Sequence, residues 1–247
     1  MATPRGRVLG LGLALLLALA LGPVGAEEQV LLEDSFSGKE IGSRPGPWVY
    51  FSDDGNEITV AATPHPGGAI GDRCLKITRR GGTVWKPMVS GWGAGVPDSP
   101  LRLDFDWYLP ALSGSAEAVL SVTLRGDGNI NIVSVGLGGT GGVSISQDGD
   151  GAVPLGFPVR AGEWGHLTIV ADPVSRKAEG AFDIAITQGP ERADYPNVPF
   201  RPDHKGAYPD ALWYSPTLHV GGGSPEHPAE AYVTNVKLTT TEPRAYR

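Results

Sequence analysis

The segment Leu101–Tyr108 (LRLDFDWY) carries two carboxylates two residues apart, Asp104 and Asp106. Leu101, Leu103, Phe105 and Trp107 alternate with Arg102, Asp104, Asp106 and Tyr108. Successive side chains of a strand face opposite sides, so both carboxylates project from one face, about 7 Å apart. Carboxylates so placed can form a catalytic pair, a ligand-binding face, or a solvated strip with Arg102, joined by Glu117 and Arg125 if the next segment pairs alongside. A second kind of chemistry lies in the aromatic residues. Trp85, Trp92, Tyr108 and Tyr214 stand near loop ends, where an exposed ring with a polar tip suits the apolar C–H face of a sugar. Trp107 and Trp164 read as core or hairpin-clasp residues.

Other reactive residues form no recognisable constellation. His65, His166, His204, His219 and His227 make neither HExxH nor a close pair, so zinc is not expected. His166 lies away from any obvious acid in the sequence. There is no Gly-x-Ser-x-Gly elbow and no phosphate loop. Cys74 is the sole cysteine, which excludes an intrachain disulfide, and its place beside Leu75 and Ile77 makes it a packing residue. Asp148–Gly151 (DGDG) resembles a fragment of a calcium loop without its spacing or closing Glu, and reads as a turn. Arg125-Gly126-Asp127 likewise reads as a turn.

The elements that position these residues are strands. In Ala161–Thr187 two alternating runs flank a polar turn bounded by Asp172-Pro173 and Gly180. Leu167 and Ile169 oppose His166, Thr168 and Val170. Phe182, Ile184 and Ile186 oppose Asp183, Ala185 and Thr187. That is an antiparallel hairpin. Strands are expected at 29–36, 48–51, 57–62, 73–79, 83–90, 101–108, 117–125, 129–136, 141–147, 153–159, 213–220 and 230–239. Pro87 argues for an edge or a bulge. A change of parity between Ile130, Ile132 and Val133, Val135 implies a second bulge. Residues 190–216, rich in proline and aromatics, read as a long functional loop. More than ten short strands with no amphipathic helix call for an all-β, antiparallel sandwich or barrel.

The chain has 247 residues. Arg5, Arg7, the apolar run Val8–Leu21 and the small residues Val24-Gly25-Ala26 make residues 1–26 a secretory signal peptide. Residues 27–247 then form a single domain, secreted or periplasmic, without membrane insertion. Setting aside Arg5 and Arg7 takes the formal charge from −7 to −9, which disfavours nucleic acid and anionic membranes as partners.

Glu33–Phe36 (EDSF), Leu101–Leu109 (LRLDFDWYL), Gly162–Asp172 (GEWGHLTIVAD) and Ala231–Leu238 (AYVTNVKL), taken in that order, resemble the concanavalin A-like jelly roll of the laminin-G-type lectin and glucanase superfamily. The resemblance implies a β-sandwich with its first and last strands paired and a concave face that binds polysaccharide or glycan. It implies ligand contacts from Arg102, Asp104, Asp106, Tyr108, Trp85, Trp92 and Tyr214, walled by residues 190–216. Hydrolases of the superfamily carry Glu-x-Asp-x-x-Glu on one strand, whereas this chain has Asp-Phe-Asp with no third acid. It also lacks the Gln-Ile-His element of the alginate lyases. The expected function is therefore a non-catalytic, monomeric carbohydrate-binding module. A glycoside hydrolase or polysaccharide lyase of the same fold, and a structural or envelope interaction protein, are the alternatives. No cofactor is expected beyond structural calcium, for which Asp34 matches the first-strand acid. Thr234 stands where the last strand's Asp is usual.

Overall fold

The structure is a computed structural model that describes residues 28–53, 55–65, 70–83, 86–91, 100–115, 117–125, 131–140, 142–147, 151–171, 181–199 and 215–240. The expected signal peptide 1–26, Trp85, Trp92, Tyr214, His204 and the expected turns at 126–128 and 148–150 lie outside the described residues. All the regular structure described is β, in two sheets.

The first sheet has eight strands and runs β13 (Glu191–Pro199), β12 (Ala181–Gln188), β11 (Trp164–Ala171), β6 (Leu101–Tyr108), β15 (Ala229–Thr240), β4 (Arg73–Arg79) and β3 (Glu57–Ala62). The eighth strand, β1 (Gln29–Asp34), pairs with the second half of β15, whose first half pairs with β4. The second sheet runs β10 (Gly151–Pro154), β9 (Gly142–Gln147), β8 (Asn131–Gly139), β7 (Leu120–Arg125), β14 (Ser215–Val220), β5 (Met88–Ser90) and β2 (Val49–Phe51). Every pairing is antiparallel.

The core follows from alternation. Leu101, Leu103, Phe105 and Trp107 of β6 are fully buried, as are Leu167 and Ile169 of β11 and Ile184 and Ile186 of β12. Leu120, Val122 and Leu124 of β7 and Val133, Val135 and Leu137 of β8 meet them from the second sheet. A one-residue slip would turn each set toward water, so the pattern sets the register. In the hairpin of β11 and β12, Leu167 stands opposite Ile186 and Ile169 opposite Ile184.

Several expectations change. Residues 190–216 do not begin as a loop: β13 occupies 191–199, joined to β12 by the two-residue turn Gly189-Pro190. Gly189 has φ +57°, the left-handed value that a Gly-first hairpin turn requires. β13 tolerates Pro196 and Pro199 because it pairs on one side only. β5 is confined to Met88–Ser90, beyond Pro87, and β10 ends at Pro154. The expected bulge between β7 and β8 is present, with Leu124 opposite Val133 and Arg125 opposite Asn131. The largest change concerns β6. Its neighbours are β11 and β15, while β7 lies in the other sheet, so Glu117 and Arg125 do not extend the Asp104–Asp106 strip.

Candidate functional site: the outer face of the first sheet

The side chains of β6 that point away from the core form cross-strand rows with those of β11 and β15. From one end, Trp164, Tyr108 and Tyr232 make an aromatic row. The Tyr108 ring lies 5.4 Å from that of Trp164 and 5.8 Å, edge-on, from that of Tyr232; at 7% exposure it is buried between them, not exposed at a loop end as expected. Trp164 is held in place by its Nε1–H, which donates to the Pro64 carbonyl at 2.7 Å. Lys76 continues the row on β4, with Nζ 5.8 Å from the Tyr232 centroid and 2.8 Å from Glu230.

The next row joins His166, Asp106 and Asn235. His166 Nδ1 donates to Asp106 Oδ1 at 2.7 Å, and Asn235 Nδ2 donates to Asp106 Oδ2 at 2.6 Å. Asn235 reaches this face because β15 carries an extra residue there: Thr234 faces Asp106 and Lys237 faces Asp104. Asn235 itself sits at φ +50°, a conformation Asn tolerates better than most residues. The third row holds Thr168, Asp104 and Lys237. Asp104 accepts the Thr168 hydroxyl at 2.6 Å and a two-pronged contact from Arg102 at 2.6 and 2.8 Å. His166 Nε2 stands 3.5 Å from Asp104, so one imidazole bridges both carboxylates. The expectation that His166 stands apart from any acid is thus corrected; 60 residues separate it from Asp106 in the chain.

The electrostatics follow from this clasp. Burial alone would raise Asp104, but hydrogen bonds from His166, Arg102 and Thr168 hold its carboxyl well below the ordinary range. His166 is pushed up to about 9 by Asp104, which contributes most despite its longer contact, and by Asp106, against the opposing effect of burial. At neutral pH the imidazole is therefore held in its charged form beside the Asp104 carboxylate.

Beside it the sheet forms a groove of about 470 Å³ that crosses β11, β12 and β13. His166, Thr168, Ala185 and Thr187 lie along it, with Arg102 on one side and Arg192 with Asp194 on the other. Arg192 grips Asp194 through Nε at 3.1 Å and Nη2 at 2.9 Å.

Thr168, His166 and Asp106 follow the order hydroxyl, imidazole, carboxylate, at 3.4 and 2.7 Å. Thr168 gives its proton to Asp104, and the two carboxylates hold the imidazole toward its charged form. The surrounding strands engage their backbone N–H groups in ladders. Asp53, Asp104 and Glu230 are all held below their ordinary range by hydrogen bonds and neighbouring cations.

Asp34, 5% exposed, is occupied by the protein itself. Its Oδ1 accepts from the Phe36 amide at 2.8 Å, and its Oδ2 accepts from Lys39 at 2.5 Å and Trp48 Nε1 at 3.0 Å. The Thr234 hydroxyl bonds to the Ser35 and Arg73 carbonyls rather than turning toward Asp34. Among the described residues no three His, Cys, Asp or Glu side chains converge as a metal would require.

No family profile matches the sequence, and no curated protein does. Solved structures match by shape. A sialidase superposes with a TM-score of 0.56 at 13% identity over 85% of this chain, which spans only 18% of that protein. The catalytic domain of a glycoside hydrolase family 131 protein from Coprinopsis cinerea gives 0.53 at 12% identity, covering 85% of this chain and 94% of that one. Peanut lectin gives 0.51 at 12% identity, covering 87% and 98%. Two antiparallel sheets, the pairing of β1 with β15 and these neighbours define the fold as the concanavalin A-like jelly roll.

Proposed function

We propose that this is a secreted carbohydrate-binding module that holds a glycan chain in the groove on the outer face of the first sheet, without cleaving it. The observation that carries the reading is the groove itself. It is an open channel across β11, β12 and β13 whose polar side chains are held by one another and are thereby preorganised. Arg102, Thr168, Thr187 and His166 offer donors and acceptors suited to sugar hydroxyls, and the adjoining half-buried Trp164 and Tyr232 offer ring faces. The non-catalytic reading is supported by the spacing on β6, Asp-Phe-Asp with no third acid following it. Export is supported by the leader-like residues 1–26.

Affinity electrophoresis against a polysaccharide panel, with reducing-end release measured on the same samples, tests both parts. Retardation by at least one polymer, lost in Ala185→Leu, which fills the groove from a solvent-facing position, is the expected result. Reducing ends that accumulate with the protein and vanish with Asp104→Asn would replace the binding module by a hydrolase.

A further inference from the structure

We infer that the groove takes an uncharged polysaccharide and rejects polyuronates, an inference that rests on the glycan-binding reading above. Among the described residues, each cation along the groove already holds a carboxylate of the protein. Arg102 is forked onto Asp104, Arg192 is forked onto Asp194, and His166 is shared between Asp106 and Asp104. A uronate could reach these cations only by displacing a carboxylate tethered to the same sheet. That carboxylate has no translational freedom to lose, whereas the incoming sugar does. The incoming charge would also enter a chain of net charge −7. Sugar hydroxyls meet no such competitor. A salt-bridged carboxylate keeps acceptor lone pairs, and a guanidinium holding one carboxylate keeps unused N–H groups.

The same pairing disfavours amino sugars, because Asp104, Asp106 and Asp194 are already neutralised by Arg102, His166 and Arg192. The groove therefore distinguishes ligands by charge through the cost of breaking internal pairs, and it favours chains that bring hydroxyls alone.

The test runs the full chain and two variants, Asp194→Asn and Ala185→Leu, in gels containing neutral glucan, mannan or galactan, and in parallel gels containing polygalacturonate or chitosan. The expected result is retardation by a neutral polymer that is flat in salt concentration, with none by polygalacturonate. Asp194→Asn releases Arg192 on an exposed strand edge, so it should gain roughly two- to fivefold in apparent affinity for polygalacturonate. Wild-type retardation by polygalacturonate or chitosan that Ala185→Leu removes would overturn the inference while leaving glycan binding in place. So would an Asp194→Asn variant that gains nothing. Failure of every polymer to retard the wild type would instead overturn the glycan-binding reading, and this inference with it.

Discussion

His166 on β11 and Asp106 on β6 face each other directly, Nδ1 to Oδ1 at 2.7 Å, at a point where Asn235 holds the far oxygen of the same carboxylate. The contact ties the two central strands of the first sheet on their solvent side and sets the charge of the groove.

The clasp makes stability depend on pH in a defined direction. His166 titrates at about 9 in the folded chain and near 6.5 when unfolded. Its contribution is full below pH 6.5 and falls as pH rises toward 9. Asp104, held below its ordinary 3.8, acts the other way: its contribution is full above that value and is lost as pH falls. The imidazole is 41% exposed, so solvent screening limits the alkaline effect to roughly 1 kcal/mol. His166→Gln should be less stable than wild type by about that amount at pH 6 and should converge with it near pH 10. Urea melts at both pH values check this, and an equal deficit at both would refute the charged clasp.

Gly165, next to His166, faces inward onto the Trp107 ring. A Cβ built there would lie 2.3 Å from Trp107 Cζ2 and 2.5 Å from Cε2. The indole is fully buried and cannot withdraw. Gly165→Ala should cost about 1–3 kcal/mol through overpacking. Gly114→Ala, with open space around its position, should be near neutral. The Trp107 Nε1 has no hydrogen-bond partner among the described residues, so Trp107→Phe removes bulk without removing a bond. The double variant Gly165→Ala/Trp107→Phe should therefore be more stable than the sum of the single losses implies. Thermal denaturation of the four proteins measures the coupling.

Cys74 is fully buried on β4, its Sγ 3.7 Å from the Ala61 and Ala62 carbonyls. Burial pushes the thiol up to about 11. Reactivity belongs to the thiolate, so the native chain should not react with a thiol reagent at pH 8 and should react stoichiometrically in denaturant. Fast labelling of the native protein would place Cys74 in a locally opening strand.

What was legible in the sequence was local. Strands β3, β4 and β6 begin and end where alternation places them, at 57–62, 73–79 and 101–108. The inward and outward sets of β6, β11 and β12 match the pattern because one face of each is dry. The partners of β6 were not legible. Chain order suggests β7, yet the strand lies between β11 and β15, and no local signal specifies a partner that distant. The Asp106–His166–Asn235 row was hidden for that reason. β13 was hidden by its prolines, which are compatible with a strand only at an edge, and edge status is a property of the finished sheet.

Gln188 shows how a residue with no motif can hold the site in place. It closes β12 at 1% exposure. Its Oε1 accepts from the Arg160 amide at 2.8 Å, and its Nε2 donates to the Arg160 and Glu163 carbonyls at 2.8 and 3.0 Å. These bonds pin the segment that leads into β11, and with it the start of the Trp164 and His166 rows. Gln188→Ala would remove three hydrogen bonds made by a buried amide to part-buried backbone groups, at a cost of about 1–3 kcal/mol. Gln188→Glu keeps the shape but loses both donated bonds and sets a carboxylate against two carbonyls, so it should be at least as damaging. Denaturant melts give the cost. Hydrogen exchange gives its location: faster exchange at the Arg160 amide and at the entry to β11, with β7 and β8 unchanged, is the expected map. Uniform loosening of both sheets would mean that Gln188 supports the core rather than the entry to β11.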